Sequence, residues 1–128
     1  EDASHRRRVV SLGWVDDDTR YALMRGASVV AYTSRYEGFG LVPLDAMSVG
    51  TPVVATRAGA VPEVAGDAAL LVPVGDSDAL AAGLAEVLGD QATTDRLVAA
   101  GRERVKLFSW GSCADGLIGL YRASARSG

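Results

Sequence analysis

Two carboxylates, Glu37 and Asp45, stand eight residues apart on either side of a glycine-punctuated turn, and that arrangement suits a phosphorylated ligand rich in hydroxyls. The apolar stretch Val29-Val30-Ala31-Tyr32-Thr33 reads as a buried strand, and Leu41-Val42-Pro43-Leu44-Asp45-Ala46-Met47-Ser48 reads as a helix that stops at Gly50. The first N–H groups of a helix have no internal partners, and the helix dipole favours negative charge there, so strand, turn and helix together make an anion site. Gly38 and Gly40 allow the tight turn and a close approach of ligand to backbone, while Pro43 falls in the first turn, where its missing N–H costs nothing. An ionised carboxylate is a pure acceptor able to take two sugar hydroxyls. On residue chemistry alone two readings stay open. Glu37 and Asp45 recognise hydroxyls, or Asp45 serves the helix dipole and Glu37 is a solvated loop residue.

The elements that position these residues alternate. Val9–Leu12 is expected as a short strand, followed by a helix capped by Asp17 or Asp18 that runs to about Arg25. Strands at Val29–Thr33, Val53–Thr56 and Ala69–Val72 are separated by the motif helix over 40–49 and by a loop at Gly59–Glu63 in which Pro62 opens a brief helical turn. Continuous apolar strands between helices predict a Rossmann-like parallel sheet covered on both faces, an α/β fold. The last third is expected to be helical. Asp76 or Ser77 caps a helix with Leu80, Leu84, Val87 and Leu88 on one face; Thr93 or Thr94 starts a second with Leu97, Val98 and Val105; Trp110, Cys113, Leu117, Leu120 and Tyr121 mark a third. Cys113 reads as a small core residue.

Motif by motif, the chain closely resembles the family 4 retaining glycosyltransferases of the GT-B fold. The resemblance runs from Leu12-Gly13-Trp14-Val15-Asp16-Asp17 through Glu37-Gly38-Phe39-Gly40-Leu41, Asp45-Ala46-Met47 and Gly50-Thr51-Pro52-Val53-Val54-Ala55-Thr56. It continues through Gly59-Ala60-Val61-Pro62-Glu63-Val64 and Gly66-Asp67-Ala68-Ala69-Leu70-Leu71-Val72-Pro73 to Phe108-Ser109-Trp110. The resemblance implies that Glu37 contacts the donor sugar and is important for transfer. It implies that Asp45 holds the ribose of a nucleoside diphosphate sugar, and that backbone amides around Gly38, Phe39, Gly40, Leu41 and Val42 cradle its phosphates. Val15 is implied to contact the base through its backbone. The family carries a second glutamate where this chain has Asp45, one methylene shorter, so the helix sits closer or water bridges the gap. The family's Pro-Glu pair is matched at Glu63, expected to stabilise the short helix opened at Pro62, and Arg57 is expected to be exposed.

The resembled family also has an upstream segment bearing an Arg and a Lys that grip the diphosphate. The sole lysine here, Lys106, lies far downstream and is not its counterpart. Residues 1–128 are therefore expected to be a single partial domain, the C-terminal, donor-binding half of a GT-B fold, with the N-terminal acceptor-binding half outside this chain. On that expectation the chain alone shows no transfer. In the family the last segment crosses back onto the acceptor half, so apolar surface left bare should favour dimerisation or segment exchange. Two rival readings are a GT-B nucleotide-sugar epimerase and a module that binds a nucleotide or a protein partner without catalysis.

Composition sets bounds. With 48% hydrophobic and 23% charged residues the chain is too apolar for disorder, and its net charge of −3 argues against a general nucleic-acid binder. One cysteine and one histidine make neither an internal disulfide nor a protein-built zinc site, and no cofactor beyond the donor substrate is expected. His5-Arg6-Arg7-Arg8 is read as a solvated lead-in, with contact to anionic lipid as the alternative; His5 is given no role. The expected location is the cytoplasm, with peripheral membrane association open for a longer parent protein.

Overall fold

The computed structural model describes residues 8–126. Three parallel strands, β1 (Val30–Tyr32), β2 (Val53–Thr56) and β3 (Ala69–Val72), form a sheet in the order β1-β2-β3. Val53 of β2 pairs with Val30 on one side and Ala69 on the other, so all three strands end on the same side. Helices separate and flank them: α1 (Asp17–Gly26), α2 (Leu41–Ser48), α3 (Val61–Ala65), α4 (Ser77–Gly89), α5 (Gln91–Lys106) and α6 (Trp110–Arg126).

The two faces of β2 divide the core. Val53 and Ala55 point into a cluster with Met24 of α1, Leu44 and Met47 of α2, and Val61 and Val64 of α3. Val54 points the other way, joining Val72, Val87 of α4 and Leu97 of α5. All four residues of β2 are buried, which is why this strand reads as one apolar run rather than an alternation. Burying each valine contributes about 1.5–3 kcal/mol relative to exposure.

Side-chain caps start the longer helices. Asp76 accepts from the Ala79 amide at 2.9 Å, as expected for α4. Two expected starts are corrected. Asp16, not Asp17 or Asp18, caps α1 by accepting from the Thr19 amide at 2.8 Å. Asp90, not Thr93 or Thr94, caps α5, accepting from the Ala92 and Thr93 amides at 3.1 and 3.3 Å. In each case the oxygen must sit two or three residues ahead of the free amide, which selects the earlier residue. α3 is the brief turn expected at Pro62, and the Gly66 amide closes it onto the Pro62 carbonyl at 3.0 Å.

Residues 9–12 do not form the expected strand. Val9, Val10 and Leu12 are exposed, and no ladder partner lies beside them among the described residues; a strand exists only through a hydrogen-bonded neighbour. Cys113 is likewise not a core residue. It is exposed, and α6 as a whole contributes no buried residue, with Trp110 91% exposed. Helical spacing showed that α6 has an apolar stripe but not whether anything covers it. Among the described residues no helix is long and apolar enough to cross a membrane. Of the basic run at residues 5–8, all but Arg8 lies outside the described residues.

Candidate functional site

Because the strands are parallel, the loops after β1 and β2 leave the sheet on the same side, where ligands of open α/β sheets bind. The two loops are sewn together there. Thr56, buried at the end of β2, donates its hydroxyl to the Ser34 carbonyl at 2.5 Å, and the Ala60 amide donates to the Glu37 carbonyl at 3.1 Å. Gly59 makes this approach possible. It has φ +51°, and a Cβ there would lie 2.0 Å from the Glu37 carbonyl oxygen.

Glu37 is half-buried at this junction. Its Oε2 accepts from the Tyr32 hydroxyl, and its Oε1 accepts from the Gly38 amide at 3.1 Å. The Tyr32 bond holds the Glu37 carboxyl below its ordinary pKa; partial desolvation opposes the shift, and the amides of Phe39, Gly38 and Gly40 reinforce it. The loop amides expected to cradle phosphate thus already face an anion, the carboxylate of Glu37 itself. The Tyr32 phenol is shifted upward, first by burial and then by Glu37, so the proton stays on the phenol.

Gly40 caps α2 in the left-handed region at φ 100° and ψ 49°, and no side chain caps the helix. The first-turn amides after Gly40, at Leu41 and Val42, therefore have no side-chain cap. One turn on, Asp45 is engaged from α1. Its Oδ2 accepts from Arg20 Nη1 at 2.5 Å and its Oδ1 from the Tyr21 hydroxyl at 2.8 Å. Arg20 also reaches Asp17 at 3.1 Å. The Asp45 bond raises the Tyr21 pKa, with burial second. A carboxylate offers about four lone-pair directions, so two remain on Asp45 after these bonds.

Beside α2 lies a cavity of about 720 Å³ walled by Phe39, Leu41, Asp45, Tyr21 and the turn into α6. Phe39 meets Phe108 edge to face, with centroids 5.9 Å apart, closing one wall. Of the expected donor residues, Phe39, Leu41 and Asp45 line this cavity. Glu37, Gly38 and Gly40 sit at the strand ends, and Val42 packs against the core. Val15 is half-buried immediately before the α1 cap and stands apart from the cavity wall. Arg57 is exposed. Glu63 contributes its backbone carbonyl to Arg104, and Arg104 Nε donates to the Val64 carbonyl at 2.8 Å, so this end of α3 has a structural partner.

Sequence reasoning missed Tyr32, Arg20 and Tyr21. Tyr32 had a signal, a phenol at the end of an apolar strand five residues before the acid. Arg20 and Tyr21 had none, because only packing of α1 on α2 brings them to Asp45. Among the described residues no cluster of His, Cys, Asp and Glu could hold a metal ion.

Comparison with known proteins agrees with this architecture. The chain is 40% identical over 111 residues to the O-antigen chain mannosyltransferase B of Escherichia coli, covering 87% of this chain and 29% of that protein. It is 42% identical over 120 residues to the phosphatidyl-myo-inositol mannosyltransferase of Mycobacterium leprae, covering 91% and 32%. The structure superposes on sucrose-phosphate synthase from Thermosynechococcus elongatus with a TM-score of 0.80 and 36% identity, over 95% of this chain and 31% of that one. The chain thus spans about a third of the length of the relatives it matches. Its three parallel strands and flanking helices are those of the C-terminal domain of a GT-B glycosyltransferase. Residues 1–104 match the family described as glycosyl transferases group 1, and the chain belongs to that family.

Proposed function

We propose that this chain is the donor-binding half of a retaining glycosyltransferase that moves a sugar from a nucleoside diphosphate to a hydroxyl acceptor. The observation that carries the reading is the junction of the β1 and β2 loops. It sets the Glu37 carboxylate beside the uncapped start of α2, with Asp45 and a cavity one turn away. Glu37 orients the donor sugar. The first-turn amides of Leu41 and Val42, which no side chain caps, meet the negative charge that develops on the departing diphosphate, and dipoles fixed in advance stabilise it without reorganisation. The Gly38 amide stays on Glu37. Asp45 takes ribose hydroxyls on the lone pairs that Arg20 and Tyr21 leave free, and the Val15 backbone meets the base. Glu37 is not assigned a covalent glycosyl intermediate, because the second acid is given to the nucleotide rather than to the reacting bond. The acceptor belongs to the remainder of a longer enzyme.

The names of the relatives favour transfer over isomerisation or plain binding, and mannosyl donors come first among the sugars to try. Calorimetric titration with UDP, GDP and ADP, with Asp45→Ala as control, tests the donor reading. Selective binding of one nucleotide, weakened by the substitution, supports it and names the donor class. Equal binding by both proteins removes Asp45 from the site. Isomerised donor formed without acceptor would instead indicate an epimerase.

A further inference from the structure

We propose that Tyr32 is the positioning residue of this site, its hydroxyl holding the Glu37 carboxylate in the plane from which it meets the donor sugar. The inference rests on the donor reading given for Glu37. Its basis is a two-point hold. One carboxylate oxygen is on the Tyr32 hydroxyl and the other on the Gly38 amide. A glutamate carboxyl on a loop otherwise turns about a soft terminal torsion and loses rotamer freedom whenever it binds. Bonds to both oxygens remove that freedom before the ligand arrives, while the remaining lone pairs stay available to hydroxyls.

Tyr32 is suited to the task because it cannot move easily. It ends β1, its ring packs against the core cluster that contains Val53 and Met47, and its backbone is paired with Ala55 of β2. The Glu37 backbone is held separately, through the Ala60 amide and the tight approach of Gly59. With backbone and ring both fixed, the hydroxyl is a donor at a fixed place. The shifts of the two groups agree, the acid being held ionised and the phenol protonated.

Tyr32→Phe keeps the ring and removes only the donor. Two measurements on the chain decide the matter. The first follows the Glu37 side-chain carboxyl by carbon NMR as pH is lowered. In Tyr32→Phe its midpoint should move up toward the ordinary glutamate value. The second compares, by calorimetry, each nucleotide with its sugar conjugate, as the pairs GDP and GDP-mannose, UDP and UDP-glucose, and ADP and ADP-glucose. Tyr32→Phe should lose about threefold to tenfold of the extra affinity due to the sugar and leave the nucleotide's own affinity unchanged. In a Glu37→Gln background the same substitution should be silent. An unchanged Glu37 midpoint together with an unchanged sugar increment would overturn the proposal, as would equal losses for nucleotide and conjugate. If the unsubstituted chain binds none of the six ligands, the donor reading and the sugar role fail together, while the NMR titration still decides whether Tyr32 holds Glu37.

Discussion

Gly59→Ala should be the most damaging single-methyl change in the loop that supports the site. Two effects add. At φ +51° an L-residue is in the left-handed region, which costs about 1–2 kcal/mol. The new Cβ would also fall 2.0 Å from a backbone carbonyl oxygen and 3.0 Å from its carbon, contacts that no side-chain rotation relieves. The loops must part, and the 3.1 Å bond from the Ala60 amide is lost with them, for about 1 kcal/mol more, plus packing. The sum is about 2–4 kcal/mol. Gly75→Ala is the control, since Gly75 has φ +81° with nothing within 4 Å of the added methyl and carries the backbone effect alone. Urea unfolding followed by circular dichroism should place Gly59→Ala about 1–2 kcal/mol below Gly75→Ala, a gap of roughly 3–8 °C in melting temperature for a domain of this size. Donor-nucleotide binding should fall in the first variant only. Equal destabilisation by the two alanines would refute the argument, because it would mean that the β1 and β2 loops are not in contact as described.

Three further outcomes are expected. Leu97→Ala, at a position 1% exposed between the sheet and α4, should cost about 2–5 kcal/mol in urea unfolding, and a loss under 1 kcal/mol would show that the second core cluster is not closed. Asp45→Ala removes the shared partner of Arg20 and Tyr21, so amide hydrogen exchange in α1 should accelerate while that of α4 does not; uniform exchange would mean the contact does not bind α1 to α2. Stability should fall at both ends of the pH scale. Glu37 is lowered from 4.5 chiefly by its bond from Tyr32, and Asp16 and Asp90 from 3.8 chiefly by side-chain bonds from Thr19 and Thr93. Their folded values lie below the unfolded ones, so their stabilisation is complete above those ordinary values and is lost as pH drops through the lowered ones. Tyr21 and Tyr32 are raised from 10.0, so their share is complete below that value and lost as pH rises through the raised ones. A urea midpoint flat from pH 3 to pH 11 would contradict both.

The sequence alone determined the elements whose signals are local. Apolar runs marked β1, β2 and β3, and the alternation with helices required a parallel sheet. The start of α2 and its two flanking acids were visible because turn chemistry and helix-end chemistry depend on residues a few positions apart. Tertiary structure decided the rest. Whether residues 9–12 form a strand depends on a neighbour, and whether the α6 stripe is covered depends on what packs there, so neither follows from spacing. The partners of the two acids show the limit most clearly. Glu37 meets Tyr32 because the end of β1 and the turn that follows fold back on each other; Asp45 meets Arg20 and Tyr21 because α1 packs on α2, about 25 residues away in sequence. A carboxylate's type is written in the chain, but the donors that set its charge and direction come from elements that only folding brings together.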